Sequence, residues 1–182
     1  AGLPYEVTSS VIVPNGGTLV LEPGVTWTFD TFGDALDVQS GGVLNVNGGK
    51  LIVKGDYRIQ TKSENGSYTI SWGRLNMTNE SDHIVVEGDF VMDSYYYHNG
   101  YLTAGILELK ENFIQKSTSS SGEDDNFNAS GSHKVLLSGT GPQTVSFEDA
   151  HNSSSHFNIL EITNPDPGQI TFTPCWPALV YS

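Results

Sequence analysis

Cysteine is almost missing from this chain. Cys175 stands alone, which excludes an intrachain disulfide and any multi-thiolate zinc site. Positive charge is also scarce: 8 Lys plus Arg against 21 Asp plus Glu leave a net charge of −13. Nucleic acid is therefore not an expected partner, because binding it needs basic side chains to displace counterions from phosphates. The same deficit disfavours docking on anionic lipid. No apolar run approaches the roughly 18 residues needed to span a bilayer, so no membrane partner is expected. The opening Ala1-Gly2-Leu3-Pro4 lacks the basic-then-apolar pattern of a signal peptide, and a module taken from a longer secreted chain would read the same way. Extended helical periodicity is absent too.

Small polar residues are what the chain has instead. Only 16% of its residues are charged, while 20 glycines and 8 prolines punctuate it, a composition that favours short strands and turns. Alternating triplets recur throughout, including Val11-Ile12-Val13, Leu19-Val20-Leu21, Leu36-Asp37-Val38, Leu44-Asn45-Val46, Leu51-Ile52-Val53 and Tyr57-Arg58-Ile59. Leu75-Asn76-Met77, Ile84-Val85-Val86, Phe90-Val91-Met92, Leu107-Glu108-Leu109, Val145-Ser146-Phe147 and Leu160-Glu161-Ile162 continue the series. Their first and third residues are mostly apolar, the period-2 mark of a strand with one buried face.

A longer period lies above the triplets. Leu51 begins Leu-Ile-Val-Lys-Gly-Asp-Tyr, Ile84 begins Ile-Val-Val-Glu-Gly-Asp-Phe, and Leu107 begins Leu-Glu-Leu-Lys-Glu-Asn-Phe. Those steps are 33 residues (51 to 84) and 23 residues (84 to 107), and upstream Leu19 precedes Leu44 by 25. Degenerate repeats of this length mark a solenoid, one coil per repeat. The expectation is an all-β, right-handed parallel β-helix, a single module over residues 1–182, handedness following the rule for parallel crossovers. A β-sandwich competes less well, since its strands run to five or six residues. The Ser-rich, acidic stretch 117–132 reads as a polar loop inserted into one coil. Residues 174–182 read as an end cap or an appended tail.

Catalytic constellations are hard to find. The pairs Asp30 with Asp34, Asp89 with Asp93, and Asp124 with Asp125 read as turn residues. The five histidines, His83, His98, His133, His151 and His156, read as surface polar residues, with no hydrolase or zinc-protease context around them. Arg58-Ile59-Gln60 lacks the lysine of the Arg-Ile-Lys of pectin-cleaving β-helices. The chain is not expected to be an enzyme. No cofactor is expected, although the carboxylates of Glu123-Asp124-Asp125-Asn126 have chemistry suited to calcium.

Aromatic residues carry more information. Tyr95-Tyr96-Tyr97 follows Phe90-Val91-Met92-Asp93, with Tyr101 close behind. Three consecutive tyrosines cannot all face a narrow core. Alternation from Phe90 and Met92 turns Tyr95 and Tyr97 outwards, and Asp93 with them. Exposed rings offer flat apolar faces with a polar tip, which suits the C–H face of a pyranose. Trp72, before Gly73, sits at a strand end, at the rim or over the core. Trp27, on the parity of Val25 and Phe29, belongs inside. Coils stack about 4.8 Å apart, a rise comparable with one unit of a β-1,4-linked glycan, and net negative charge repels polyanions. The candidate site is Trp72, Asp93, Tyr95, Tyr96, Tyr97 and Tyr101, its ligand a neutral polysaccharide.

The phrases Gly42-Val43-Leu44-Asn45-Val46-Asn47-Gly48-Gly49-Lys50-Leu51, Val86-Glu87-Gly88-Asp89-Phe90 and Asn99-Gly100-Tyr101-Leu102-Thr103-Ala104-Gly105 resemble β-helical modules of secreted, multimodular proteins from plant-fibre-degrading bacteria. The likeness runs from about Gly16 to Ile162. It implies a non-catalytic carbohydrate-binding module, with xylan favoured, secreted and covalently linked to catalytic modules in a parent chain. No binding residue is carried over from it. Two other functions stay open: a structural or adhesin solenoid of a bacterial cell surface, and a pectin-active lyase or hydrolase.

Overall fold

The computed structural model describes residues 5–117, 125–149 and 154–173. Cys175 and the rest of 174–182, Glu123, Asp124 and His151 lie outside them. The chain is an all-β solenoid of about six turns. Seven parallel strands form the first sheet: β1 (Tyr5–Val7), β4 (Thr26–Phe29), β7 (Lys50–Val53), β12 (His83–Val86), β14 (Ile106–Leu109), β16 (Lys134–Leu137) and β18 (Ile159–Ile162). Seven more form the second: β2 (Val11–Val13), β5 (Asp34–Val38), β8 (Asp56–Ile59), β13 (Phe90–Met92), β15 (Phe113–Gln115), β17 (Gln143–Phe147) and β19 (Ile170–Thr173). The third sheet is shorter, with β3 (Thr18–Val20), β6 (Val43–Asn45) and β11 (Arg74–Asn76).

The register follows the repeats. Ile84 pairs with both Leu51 and Leu107, Leu19 with Leu44, and Phe90 with both Tyr57 and Phe113. Each inward row is thus a stack of like side chains. Leu51, Ile84, Leu107 and Val135 run down one wall, and Tyr57, Phe90 and Phe113 down another, all fully buried. Phe113 is the hub of the aromatic column, with ring centroids 4.7 Å from Phe157, 4.9 Å from Phe127 and 5.0 Å from Phe147. Trp27 lies inward as expected, in register with Leu51 and half-buried at the open first coil.

Tight turns let so narrow a coil close. Asn47, the one non-glycine with positive φ among the described residues, leads into Gly48, also at positive φ. The Gly48 N–H donates to Asp82 Oδ1 on the next coil.

Three features depart from the sequence reading. The polar insertion is shorter than 117–132: Phe127 and Ala129 are wholly buried, and Ala129 bridges to Leu102. The chain has rejoined the coil by then, because Phe127 and Ala129 alternate inward although the polar residues around them hide the pattern. Residues 61–69 form an antiparallel hairpin, β9 (Thr61–Lys62) with β10 (Tyr68–Thr69), rather than another rung. Finally, His98 and His133 are completely buried instead of superficial.

Candidate functional site

The aromatic residues converge because of register. Ser71 and Ser94 form a parallel bridge between adjacent coils, and each serine sits immediately before an aromatic residue. Ser71 Oγ accepts from Gly73 N–H at 2.6 Å, and Ser94 Oγ accepts from Tyr96 N–H at 2.9 Å. These matched side-chain turns present Trp72 and Tyr95 at equivalent positions one coil apart. The rings stack with centroids 5.0 Å apart and planes 24° from parallel, close to the strand spacing that parallel pairing imposes. Trp72 is 53% exposed and Tyr97 is 54% exposed, so the rim placement of Trp72 is the one adopted.

A second cluster adjoins the first through Gly73. Arg74 opens β11 and points outward beneath two rings, its guanidinium carbon 4.1 Å from the Tyr96 centroid and 5.0 Å from that of Tyr101. Arg74 Nη1 donates to Tyr101 Oη at 3.2 Å, and the Tyr96 and Tyr101 hydroxyls lie 3.3 Å apart. The hydrogen bond between the phenols raises the pKa of Tyr96 and lowers that of Tyr101, which Arg74 lowers further. Tyr96 therefore faces outward like its neighbours, at half burial. The turn that carries these rings is anchored by His98. Its Nε2 accepts from Leu75 N–H at 3.0 Å, so Nδ1 carries the proton and donates to the Tyr96 carbonyl at 2.9 Å. The imidazole thereby fills a place in the third sheet that a strand would otherwise occupy. Burial pushes its pKa down to about 4.

Asp93 departs from expectation. It lies on outward parity, yet only 1% of it is exposed, and its Oδ2 accepts from Gln60 Nε2 at 2.9 Å. The outer face of the second sheet is covered here: Tyr68, Thr69 and Ile70 form one side of a groove of about 440 Å³, with Arg58, Gln60, Asp93 and Lys116 along the other. A carboxylate held by Gln60 on a covered wall is not a free acceptor for sugar hydroxyls. Neither ring of the stacked pair lines the groove, although Ile70 and Asp93 each precede one of them by two residues.

Beside the groove lies a charge cluster under the hairpin. Arg58 meets Asp56 at 2.6 Å and Asp34 at 3.0 Å, and Lys62 meets Asp34 at 2.8 Å. Asp37 is 3% exposed and its Oδ1 has no partner. Burial first, then the Asp34 and Asp56 carboxylates, push its pKa up to about 6 against the pull of Lys62 and Arg58.

Arg74, Asn45 and Asn76 are site residues that the sequence reading overlooked. Asn76 Nδ2 donates to Asn45 Oδ1 at 3.2 Å on the outer face of the third sheet, and Asn76 Oδ1 is left without a partner. The signal was present in the triplets Leu44-Asn45-Val46 and Leu75-Asn76-Met77, whose middle residues had to face outward. Of the suggested calcium ligands, Asn126 is turned inward, its Oδ1 accepting from Gln115 Nε2 at 2.9 Å and its Nδ2 donating to the Lys116 carbonyl at 2.7 Å. Among the described residues no cluster of His, Cys, Asp or Glu has metal-binding geometry.

Comparison with family models, curated proteins and solved structures finds no match to this chain. The functional reading therefore stands on the geometry of the surface.

Proposed function

We propose that the chain is a non-catalytic carbohydrate-binding module whose ligand is a polysaccharide with a neutral backbone, xylan being the favoured one. One observation carries the reading: Trp72 stacks on Tyr95 one coil away and stands half in solvent, as does Tyr97 two residues beyond Tyr95. Leaving large rings in water is unfavourable unless something covers them, and the outermost face and the edges of the stacked pair are open to the C–H face of a pyranose. The Asn45–Asn76 amides and the Tyr96 and Tyr101 hydroxyls supply polar contacts near those rings. Asp93 takes no direct part. In this reading the protein works outside the cell, attached to catalytic modules that it holds on their substrate.

Affinity electrophoresis in gels containing soluble xylan tests the assignment. Wild type is retarded, and Trp72→Ala with Tyr97→Ala loses about tenfold in affinity per ring, the scale of a buried aromatic anchor. Retardation unchanged in the double variant overturns the site. No retardation on any neutral glycan overturns the function and leaves the structural or adhesin alternative. Release of reducing or unsaturated ends from pectin or xylan would overturn the non-catalytic assignment.

A further inference from the structure

The two arginines of this chain live in opposite surroundings. Arg58 is neutralised by Asp34 and Asp56. Arg74 has no carboxylate partner among the described residues. It is clasped between the Tyr96 and Tyr101 rings, and its buried Nε has no hydrogen-bond acceptor. Of the 8 basic side chains, Arg74, Lys50 and Lys116 are those without a carboxylate partner among the described residues, and of these three Arg74 alone packs against aromatic rings. Among the described residues the other outward positions of the third sheet are Thr18, Val20, Val43, Asn45 and Asn76, none of them acidic. The aromatic rings hold the guanidinium in place, and with Nη1 donating to Tyr101 Oη and Nε buried, Nη2 is the N–H group left to meet a carboxylate.

We infer that Arg74 is an anion subsite on the glycan-binding face, and that the ligand carries isolated uronic acid substituents on its neutral backbone. The inference rests on the carbohydrate-binding reading and narrows its substrate class. The net charge of −13 does not oppose it. A polyuronide presents charge along its whole length and meets the repulsion of the entire molecule. A sparse carboxylate is screened from distant charges beyond about 8 Å at physiological salt and responds mainly to the cation it touches. The backbone sugars lie on Trp72, Tyr95 and Tyr97, and the pendant carboxylate reaches Arg74 beyond Gly73.

The test compares xylan bearing glucuronic acid side groups with the same polymer after its carboxyls are reduced to hydroxymethyl groups. Binding is measured by isothermal titration for wild type, Arg74→Gln and Arg74→Lys. Wild type should prefer the native polymer about tenfold, the scale of one charge-assisted hydrogen-bonded contact, and the preference should shrink as NaCl is raised. Arg74→Gln should bind both polymers alike, and Arg74→Lys should recover part of the preference. Equal binding of both polymers by wild type overturns the inference and leaves the carbohydrate-binding reading intact. A preference that persists in Arg74→Gln also overturns it, by placing the anion elsewhere. Binding of neither polymer overturns both readings. Should Arg74→Gln fail to fold, the wild-type comparison still decides.

Discussion

Acidification should unfold this protein by way of two histidines that water never reaches. His98 and His133 are both wholly buried, and burial lowers the pKa of each from 6.5 to about 4. The unfolded chain therefore takes up two protons as pH falls through 6.5, while the folded chain refuses them until about pH 4. Stability is complete above 6.5 and is lost progressively on the way down to about 4. At roughly 1.4 kcal/mol per pH unit, each imidazole removes about 3 kcal/mol over that range, and the pair about 7 kcal/mol. Asp37 acts in the opposite sense. Its pKa is raised from 3.8 to about 6, so stability withheld at neutral pH returns as pH falls through 6, a gain of about 3 kcal/mol. Together these three groups remove about 4 kcal/mol between pH 7 and 4, a large share of the stability of an ordinary domain, and the lowered pKa values of His83 and Glu108 act in the same direction. Urea titrations followed by tryptophan fluorescence at pH 7, 6, 5 and 4 measure it. His133→Leu separates the contributions. Both ring nitrogens of His133 lack partners, so leucine should raise stability at pH 7 by about 1 kcal/mol and halve the histidine share of the pH slope. A free energy of unfolding that stays level from pH 7 to 4, or a slope untouched by His133→Leu, would refute the reasoning.

Further outcomes follow from the same packing. Asp37→Asn should stabilise the protein by up to about 3 kcal/mol at pH 7 and by almost nothing at pH 4, because amide and protonated carboxyl are then equivalent; paired urea titrations at the two pH values read this. Phe113→Ala should cost about 3–5 kcal/mol, since it empties the centre of a column touching Phe90, Phe127, Phe147 and Phe157. Phe113→Leu should cost much less, and differential scanning calorimetry on both variants checks the ranking.

Much of the architecture is legible in the sequence. The apolar-polar-apolar triplets and the recurrence of Leu51, Ile84 and Leu107 specify inward rows and their order of stacking, and the observed register repeats that order strand by strand. The reason is locality. A residue in an extended chain must point one way or the other, and its parity is set within three residues. Alternation also points Tyr95 and Tyr97 outward, but Tyr96 faces outward beside them, because the chain has left the strand by then and parity no longer governs it. The hairpin 61–69 had a local signal as well, in Asn65-Gly66 between two short runs, with Gly66 at positive φ.

Tertiary structure alone decided which outward positions meet water. Parity places Asp93 outside and leaves Trp72 open between rim and core, yet Asp93 is sealed on the wall of a groove while Trp72 stands exposed. Parity is equally silent on Arg58 being neutralised by carboxylates and Arg74 being held by rings. The sequence presents His98 as a surface residue, because nothing in its neighbours reveals that its ring replaces a strand as acceptor for Leu75 N–H. Exposure and partnership depend on groups one coil away, some 20 to 30 residues distant in sequence. Short-range alternation carries no record of them, so the sequence by itself determined the spiral and the folded chain decided the character of its surface.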